Sequence, residues 1–152
     1  MQNKFNIEII DYKRISGKYI IYERKGKGKE YNSYNDKLIF EGEYLNGKRH
    51  GLGKEYNEEG YIVYEGEYLK GKRNGKGKEY HVGKLIFEGE FVNGKRNGKG
   101  KEYHYKSIIY EGEYFNGKRN GKGKEYNYGS LIYDGEYFNS TKYGKGKEYN
   151  EE

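Results

Sequence analysis

From residue 85 onward the chain alternates with period two. Leu85, Phe87, Gly89 and Phe91 form one series, with Glu88 and Glu90 between its members. Alternation of this kind sends the two series to opposite faces of a β-strand. Asn93-Gly94 follows, and Asn-Gly is the strongest short-range hairpin signal because both residues tolerate positive φ in a type I′ turn. A second run, Lys95 to Tyr103, then carries Gly98 and Gly100. The unit is predicted to be a β-hairpin, and Ile108 to Tyr126 repeats it almost letter for letter. The same turn recurs as Asn46-Gly47 and Asn116-Gly117, with Lys70-Gly71 as a variant.

The glycines set the period. Those of the first strand fall at Gly42, Gly66, Gly89, Gly112 and Gly135, spaced 24, 23, 23 and 23. Those of the second strand come in pairs: Gly51/Gly53, Gly75/Gly77, Gly98/Gly100, Gly121/Gly123 and Gly144/Gly146. A further pair, Gly26/Gly28, precedes Lys29-Glu30-Tyr31 and marks a degenerate first unit within residues 18–31. Self-similarity at this period is the signature of a repeat architecture. An isolated hairpin is marginal in water, so the units are expected to stack edge to edge. The predicted fold is all-β: a single-layer, elongated antiparallel sheet of stacked hairpins, rising ~10 Å per repeat from the ~4.8 Å strand spacing.

A two-residue turn at Asn93-Gly94 implies a register. Val92 would face Lys95, Phe91 Arg96, Gly89 Gly98, Glu88 Lys99 and Phe87 Gly100. One face would then hold aromatic rings over strand positions that lack a side chain. The other would set Glu88 and Glu90 against Lys99 and Lys101, as solvated cross-strand ion pairs. A longer loop from Asn93 to Asn97 would shift this pairing.

Residues 1–37 are expected to form a capping hairpin plus the degenerate unit, and residues 38–152 five repeats of one continuous domain. The cap is read from Phe5-Asn6-Ile7-Glu8-Ile9-Ile10 and Tyr19-Ile20-Ile21-Tyr22, with Ser16-Gly17 as its turn. At the other end Tyr149-Asn150-Glu151-Glu152 supplies no cap. An open sheet edge there is protected by charge, pairs with a second copy to make a homodimer, or continues into a longer array.

Composition agrees with the repeat. The 152 residues include 25 Gly, 21 Tyr and neither Pro, Cys, Trp nor Ala. Mean hydropathy is −1.32, a value that alone points to disorder, but aromatics at fixed intervals argue for a thin apolar layer that neighbouring units complete. Absence of Cys excludes disulfides and thiolate metal sites and fits a reducing compartment. The start has no apolar h-region and no segment reaches the ~20 apolar residues of a membrane helix. A cytoplasmic setting, soluble or peripheral to a membrane, is expected. Net charge is +6, from 30 basic and 24 acidic residues interleaved throughout, which makes nucleic acid a poor partner.

Catalytic chemistry finds no support. His50, His81 and His104 stand where other units carry polar strand-end residues, His50 matching Asn74 and His104 matching Asn127. Gly-Lys-Gly-Lys lacks the order of a phosphate-binding loop and is followed by Glu-Tyr rather than a helix. No clustered His or Cys suggests a metal, and no cofactor is expected. The aromatic stripes carry more. Phe40, Tyr64, Phe87, Tyr110 and Tyr133 form one row, expected with Gly42, Gly66, Gly89, Gly112 and Gly135 to be structural. Tyr44, Tyr68, Phe91, Tyr114 and Tyr137 form a second row on the same face. Either both rows only pack the sheet, or they also leave a partly exposed aromatic groove that binds a partner. A ladder of Lys48-Arg49, Lys72-Arg73, Lys95-Arg96 and Lys118-Arg119 is expected along the turn edge, either as a solubilising rim or as a dock for an acidic partner.

Tyr64-Glu65-Gly66-Glu67-Tyr68-Leu69-Lys70-Gly71-Lys72-Arg73-Asn74-Gly75-Lys76-Gly77 closely resembles the MORN repeat: aromatic-x-Gly-x-aromatic, a Gly turn, then Gly-x-Gly and a later aromatic. The likeness spans residues 38–149. It departs where many members carry Trp and this chain has Tyr or Phe, and at the last turn, Asn139-Ser140-Thr141-Lys142. The resemblance implies a single-layer β-sheet and a role in protein binding and scaffolding. It also implies, as alternatives, binding of anionic phospholipid and an inhibitor or antitoxin-like role that blocks an enzyme or nuclease. The expected function is a non-enzymatic scaffold that binds another protein, through an acidic or extended segment, along the aromatic face. Its partner-binding residues would be the second aromatic row with Arg49, Arg73, Arg96 and Arg119.

Overall fold

The structure, a computed structural model, describes residues 12–15 and 17–150. Thirteen strands follow one another across a single sheet in sequence order, each antiparallel to the next. The first three are β1 (Tyr12–Ile15), β2 (Lys18–Tyr22) and β3 (Lys27–Asn32). Five hairpins follow: β4 (Leu38–Leu45) with β5 (Lys48–Tyr56), β6 (Ile62–Leu69) with β7 (Lys72–His81), β8 (Lys84–Val92) with β9 (Lys95–His104), β10 (Ser107–Phe115) with β11 (Lys118–Asn127), and β12 (Ser130–Phe138) with β13 (Thr141–Glu148). Among the described residues the sole helical element is a 3₁₀ turn, Arg24–Gly26. The all-β ribbon expected from the alternation is the fold observed. The segment Phe5–Ile10, read as one strand of a cap, lies outside the described residues.

Turn chemistry holds locally. Asn46, Asn93, Asn116 and Asn139 all adopt φ near +50°, and Val92 faces Lys95 with Phe91 facing Arg96, as a two-residue turn requires. Beyond that point the register departs from expectation by two residues. Gly89 faces Gly100 rather than Gly98, Glu88 faces Lys101 rather than Lys99, and Phe87 faces Glu102 rather than Gly100. The cause is a bulge in the second strand at Gly98, whose φ is +95°; Gly75 and Gly121 do the same at +99° and +98°. A carboxylate from the first strand caps the bulge in four other units: Glu43, Glu67, Glu113 and Glu136 accept the backbone N–H of Leu52, Lys76, Lys122 and Lys145. The two glycines of each pair therefore have separate jobs. The first supplies a left-handed backbone that L residues resist.

The second gives up its side chain to a ring. Gly28, Gly42, Gly53, Gly66, Gly77, Gly89, Gly100, Gly112, Gly123, Gly135 and Gly146 are successive cross-strand partners, an unbroken row through every strand from β3 to β13. Phe40, Tyr64, Phe87, Tyr110 and Tyr133 lie on that row. A Cβ at Gly100 would stand 2.4 Å from Phe87 Cζ, and one at Gly77 would stand 2.2 Å from the Tyr64 hydroxyl. The second aromatic row closes the layer. Phe87 meets Phe91 of its own unit and Tyr114 of the next edge-to-face, at 5.5 and 5.1 Å, and the pattern runs from Phe40 to Tyr137. Such pairs add ~0.5–1.5 kcal/mol each beyond their buried area. The core is this zigzag of rings on one face of one sheet, and Phe40, Tyr64, Phe87 and Tyr110 have no exposed surface.

Replacing Gly100 by Val should lower stability by about 1–3 kcal/mol, because the ring of Phe87 is held between two others and cannot retreat. Lys99→Val, at the exposed neighbouring position, should stay within about 0.5 kcal/mol of the parent. Urea titration of both variants checks this. A Gly100→Val protein as stable as its parent would mean that the rings do not rest on the glycine row.

Candidate functional site

The structure brings the expected partner-binding residues together, but it closes the face they share. Tyr44, Tyr68, Phe91, Tyr114 and Tyr137 are buried, so the partly exposed aromatic groove expected from a one-layer sheet is absent among the described residues. Two interactions close it. The rings tilt against each other, and an arginine lies over each first-row ring: Arg49 over Phe40, Arg73 over Tyr64, Arg96 over Phe87 and Arg119 over Tyr110, with guanidinium carbons 4.0–4.2 Å from the ring centres. Lys142 takes this place over Tyr133.

These arginines are also ion-paired, so the cationic ladder expected on the turn edge loses half its members to the aromatic face. Each arginine bridges glutamates of successive units. Arg49 joins Glu30 and Glu55, Arg73 joins Glu55 and Glu79, Arg96 joins Glu79 and Glu102, and Arg119 joins Glu102 and Glu125. The closest contacts are 2.7 Å from Arg73 to Glu55 and 2.6 Å from Arg96 to Glu79. Hydroxyls of the second row join in, with Tyr68 donating to Glu55 and Tyr114 to Glu102 at 2.6 Å. Burial by itself works against the charge on Glu55. Hydrogen bonds from Arg73 and Tyr68 outweigh it and hold the carboxyl below its ordinary range. Glu102 is lowered likewise, with Arg119 and Tyr114 as its donors. The reading of the sequence missed this ladder. Its signal was the Lys-Glu-Tyr that follows the glycine pair in the degenerate unit and in all five others.

The Glu/Lys face differs from expectation too. Its glutamates find partners other than lysine: Glu41, Glu65, Glu88 and Glu111 accept the hydroxyls of Tyr56, Tyr80, Tyr103 and Tyr126. Partial burial and the facing carboxylate push Tyr103 up to about 12, and Tyr56 and Tyr80 likewise; for Tyr126 the hydrogen bond to Glu111 is the larger cause. A groove of about 1370 Å³ runs along this face from Glu23 to Asp134, floored by the glycine row. Acidic and basic stripes alternate along it, each Glu of the first strand flanked by lysines of two second strands, as Glu88 is by Lys78 and Lys101.

At the turn-side rim of the same face stands an apolar row that also escaped the sequence reading. Leu45, Leu69, Val92, Phe115 and Phe138 are exposed, one per unit, directly after the second-row aromatic. The signal was an apolar residue recurring where the rest of the face is charged. At this rim Asn74, Asn97 and Asn120 accept the backbone N–H of the next unit's turn residue, Asn93, Asn116 and Asn139, so the side chain that matches His50 ties one unit to the next. His81 and His104 are exposed at strand ends. Among the described residues no group of three or more His, Cys, Asp or Glu could hold a metal ion.

The family model of the MORN repeat matches residues 40–60, 64–82, 87–106 and 110–128. A search of the curated proteins finds no match.

The ion-pair ladder and the tyrosine hydroxyls set stability from opposite ends of the pH scale. Glu55 and Glu102 are lowered, so their contribution is present above the ordinary carboxyl value of ~4.3 and is lost as pH falls through their folded values. Tyr56, Tyr80, Tyr103 and Tyr126 are raised to about 12, so their contribution is present below the ordinary phenol value of ~10 and disappears as pH climbs through their folded values. Urea midpoints should therefore fall on acidification below about pH 4.5, and less steeply in a Glu55→Gln/Glu102→Gln protein. At alkaline pH, phenolate absorbance from these rings should rise together with unfolding. An acid limb unchanged in the double variant would remove the ladder as its source.

Proposed function

The chain belongs to the MORN-repeat family, whose repeats are non-catalytic modules for protein or membrane-lipid interaction, and from that premise we propose that it is a scaffold that takes a segment of another protein lengthwise. The observation that carries this reading is the groove on the Glu/Lys face, which continues from β3 through β12 and repeats nearly the same side chains at each unit, with Leu52 and Asp134 as the departures. A segment laid along it meets equivalent donors and acceptors at ~10 Å intervals, so each unit adds a like increment of binding. The aromatic face, where a partner was expected, is roofed by paired arginines, and removing its rings removes the core. The Glu/Lys face can lose or reverse side chains without opening that core. A membrane role resting on the Lys-Arg edge is weakened by the same geometry, since the arginines are turned inward and neutralised. Blocking an enzyme or nuclease would be a special case of the same docking.

Reversal of Lys78, Lys101 and Lys124 to Glu changes the basic stripes of three units while leaving the rings and the arginine ladder intact. Binding of peptides selected on the parent protein from a displayed random library should weaken at least tenfold, ~1.4 kcal/mol, while the melt stays cooperative and is lowered only modestly by the new Glu–Glu neighbours. Lys84→Glu/Lys106→Glu, at the opposite, inter-repeat side, is the control and should bind as the parent does. Peptides that bind the groove variant at full strength would refute the groove as the docking site.

A further inference from the structure

The turn-side rim carries a pattern of its own. Leu69 faces Lys72, Val92 faces Lys95 and Phe115 faces Lys118 across their turns, on the groove side of the sheet. Each apolar member therefore has an ammonium one strand along, across its own turn, while at the unit boundary, where Gly75 faces Phe91, Val92 stands beside Asn74. Neither kind of side chain has a task in the fold. The apolar members remain 44–65 % exposed and stand outside the aromatic core. The lysines are exposed and, among the described residues, make no ion pair, whereas the arginine beside each one is paired on the other face. Single exposed apolar residues are ordinary, but five at a fixed interval along one rim form a regular row.

We propose that this rim binds an acidic amphipathic α-helix laid along the ribbon, a proposal that rests on the scaffold reading and names its partner. Charge complementarity supplies the acid: unpaired ammonium groups at Lys72, Lys95 and Lys118 call for carboxylates at matching intervals. Spacing supplies the helix. Strands follow one another every ~4.8 Å, so the apolar members recur every ~9.6 Å, each with a lysine one strand along. One turn of α-helix rises 5.4 Å, so a stripe with apolar residues at i and i+7 repeats every ~10.5 Å and carries its acid, at i+3 or i+4, one turn along. An extended strand repeats each face every ~6.7 Å, which matches neither interval. A polyproline helix repeats its face only every ~9.3 Å, which offers the apolar contacts but no acid between them. Over the six strands from Leu69 to Lys118 the helix gains ~3 Å on the rim, a mismatch that a slight crossing angle absorbs. The row ends at the last unit, where Thr141 replaces the lysine opposite Phe138.

The test uses the full chain and a designed helical peptide with Leu at i, i+7 and i+14 and Glu at i+4, i+11 and i+18, followed by fluorescence anisotropy at low salt. A second peptide of identical composition carries its Glu residues on the far face. The matched peptide should bind at least tenfold tighter than the mismatched one. Lys72→Glu/Lys95→Glu/Lys118→Glu should abolish that preference, and a peptide with Lys in place of Glu should restore binding to this variant. Leu69→Ser/Val92→Ser/Phe115→Ser should also lose binding and keep the parental melt, because these side chains lie outside the core. Equal binding of the two peptides, indifference to both triple variants, or binding only to vesicles containing phosphatidylserine would overturn the proposal. Library-selected groove peptides run alongside separate the two levels. If they still bind while the matched helix does not, the rim proposal fails and the scaffold reading stands; if neither binds, the scaffold reading fails as well.

Discussion

Everything in this ribbon depends on aromatic rings resting on a row of glycines. A single sheet has no second layer to bury its apolar face, and an exposed aromatic face would aggregate. Here the second layer is made from the same residues. Deleting the side chain at one position in every strand from β3 to β13 opens a trough one atom deep, and Phe40, Tyr64, Phe87, Tyr110 and Tyr133 lie down in it. Because the first four of these rings also touch the second-row ring of the following unit, from Phe40–Tyr68 to Tyr110–Tyr137, the units complete one another's core.

The arginines follow from this arrangement. A ring lying flat presents its face outward, and a guanidinium over it excludes water while keeping its own donors at the rim of the ring. Those donors need carboxylates: Glu55, Glu79 and Glu102 stand where two successive arginines reach them, and Glu125 where Arg119 and Lys142 do. The roof is thus a continuous line of alternating charge that runs across unit boundaries. Removing one arginine would strand a half-buried glutamate shared with the neighbouring unit, so damage would spread past the repeat in which it occurs.

With one face consumed by its own packing, the docking proposed for this ribbon falls to the other. The Glu/Lys face keeps its backbone shape through internal bonds: carboxylates capping the bulges and tyrosine hydroxyls on Glu41, Glu65, Glu88 and Glu111. These contacts occupy the glutamates; Lys124 and Lys29 pair with Asp134 and Glu23, while the rim's lysines and apolar side chains stay available. Such a division suits a repeat scaffold, in which one surface makes the fold and the other can vary in what it binds.

Local chemistry sufficed for the hairpins. Asn93-Gly94 between two β-prone runs fixes a turn whatever surrounds it, and the 23-residue glycine period carries that turn into a ribbon, so the fold was legible in the chain itself. The choice of rings over glycines was legible too, since Phe87 does cover Gly100. The register beyond Arg96 was not. It turns on a bulge at Gly98, and a glycine in a strand reads equally well as a bulge or as a gap for a ring. Deciding between them takes the partner strand's carboxylate on one side and the ring on the other. Arg96 shows the same limit. Beside a turn it reads as a surface cation, and it becomes a roof only because Glu79, 17 residues upstream, and the ring of Phe87 stand within reach once the strands are side by side. Period and turn are properties of a few neighbouring residues, whereas burial of the aromatic face is a property of three adjacent strands, and contacts between strands exist only in the assembled sheet.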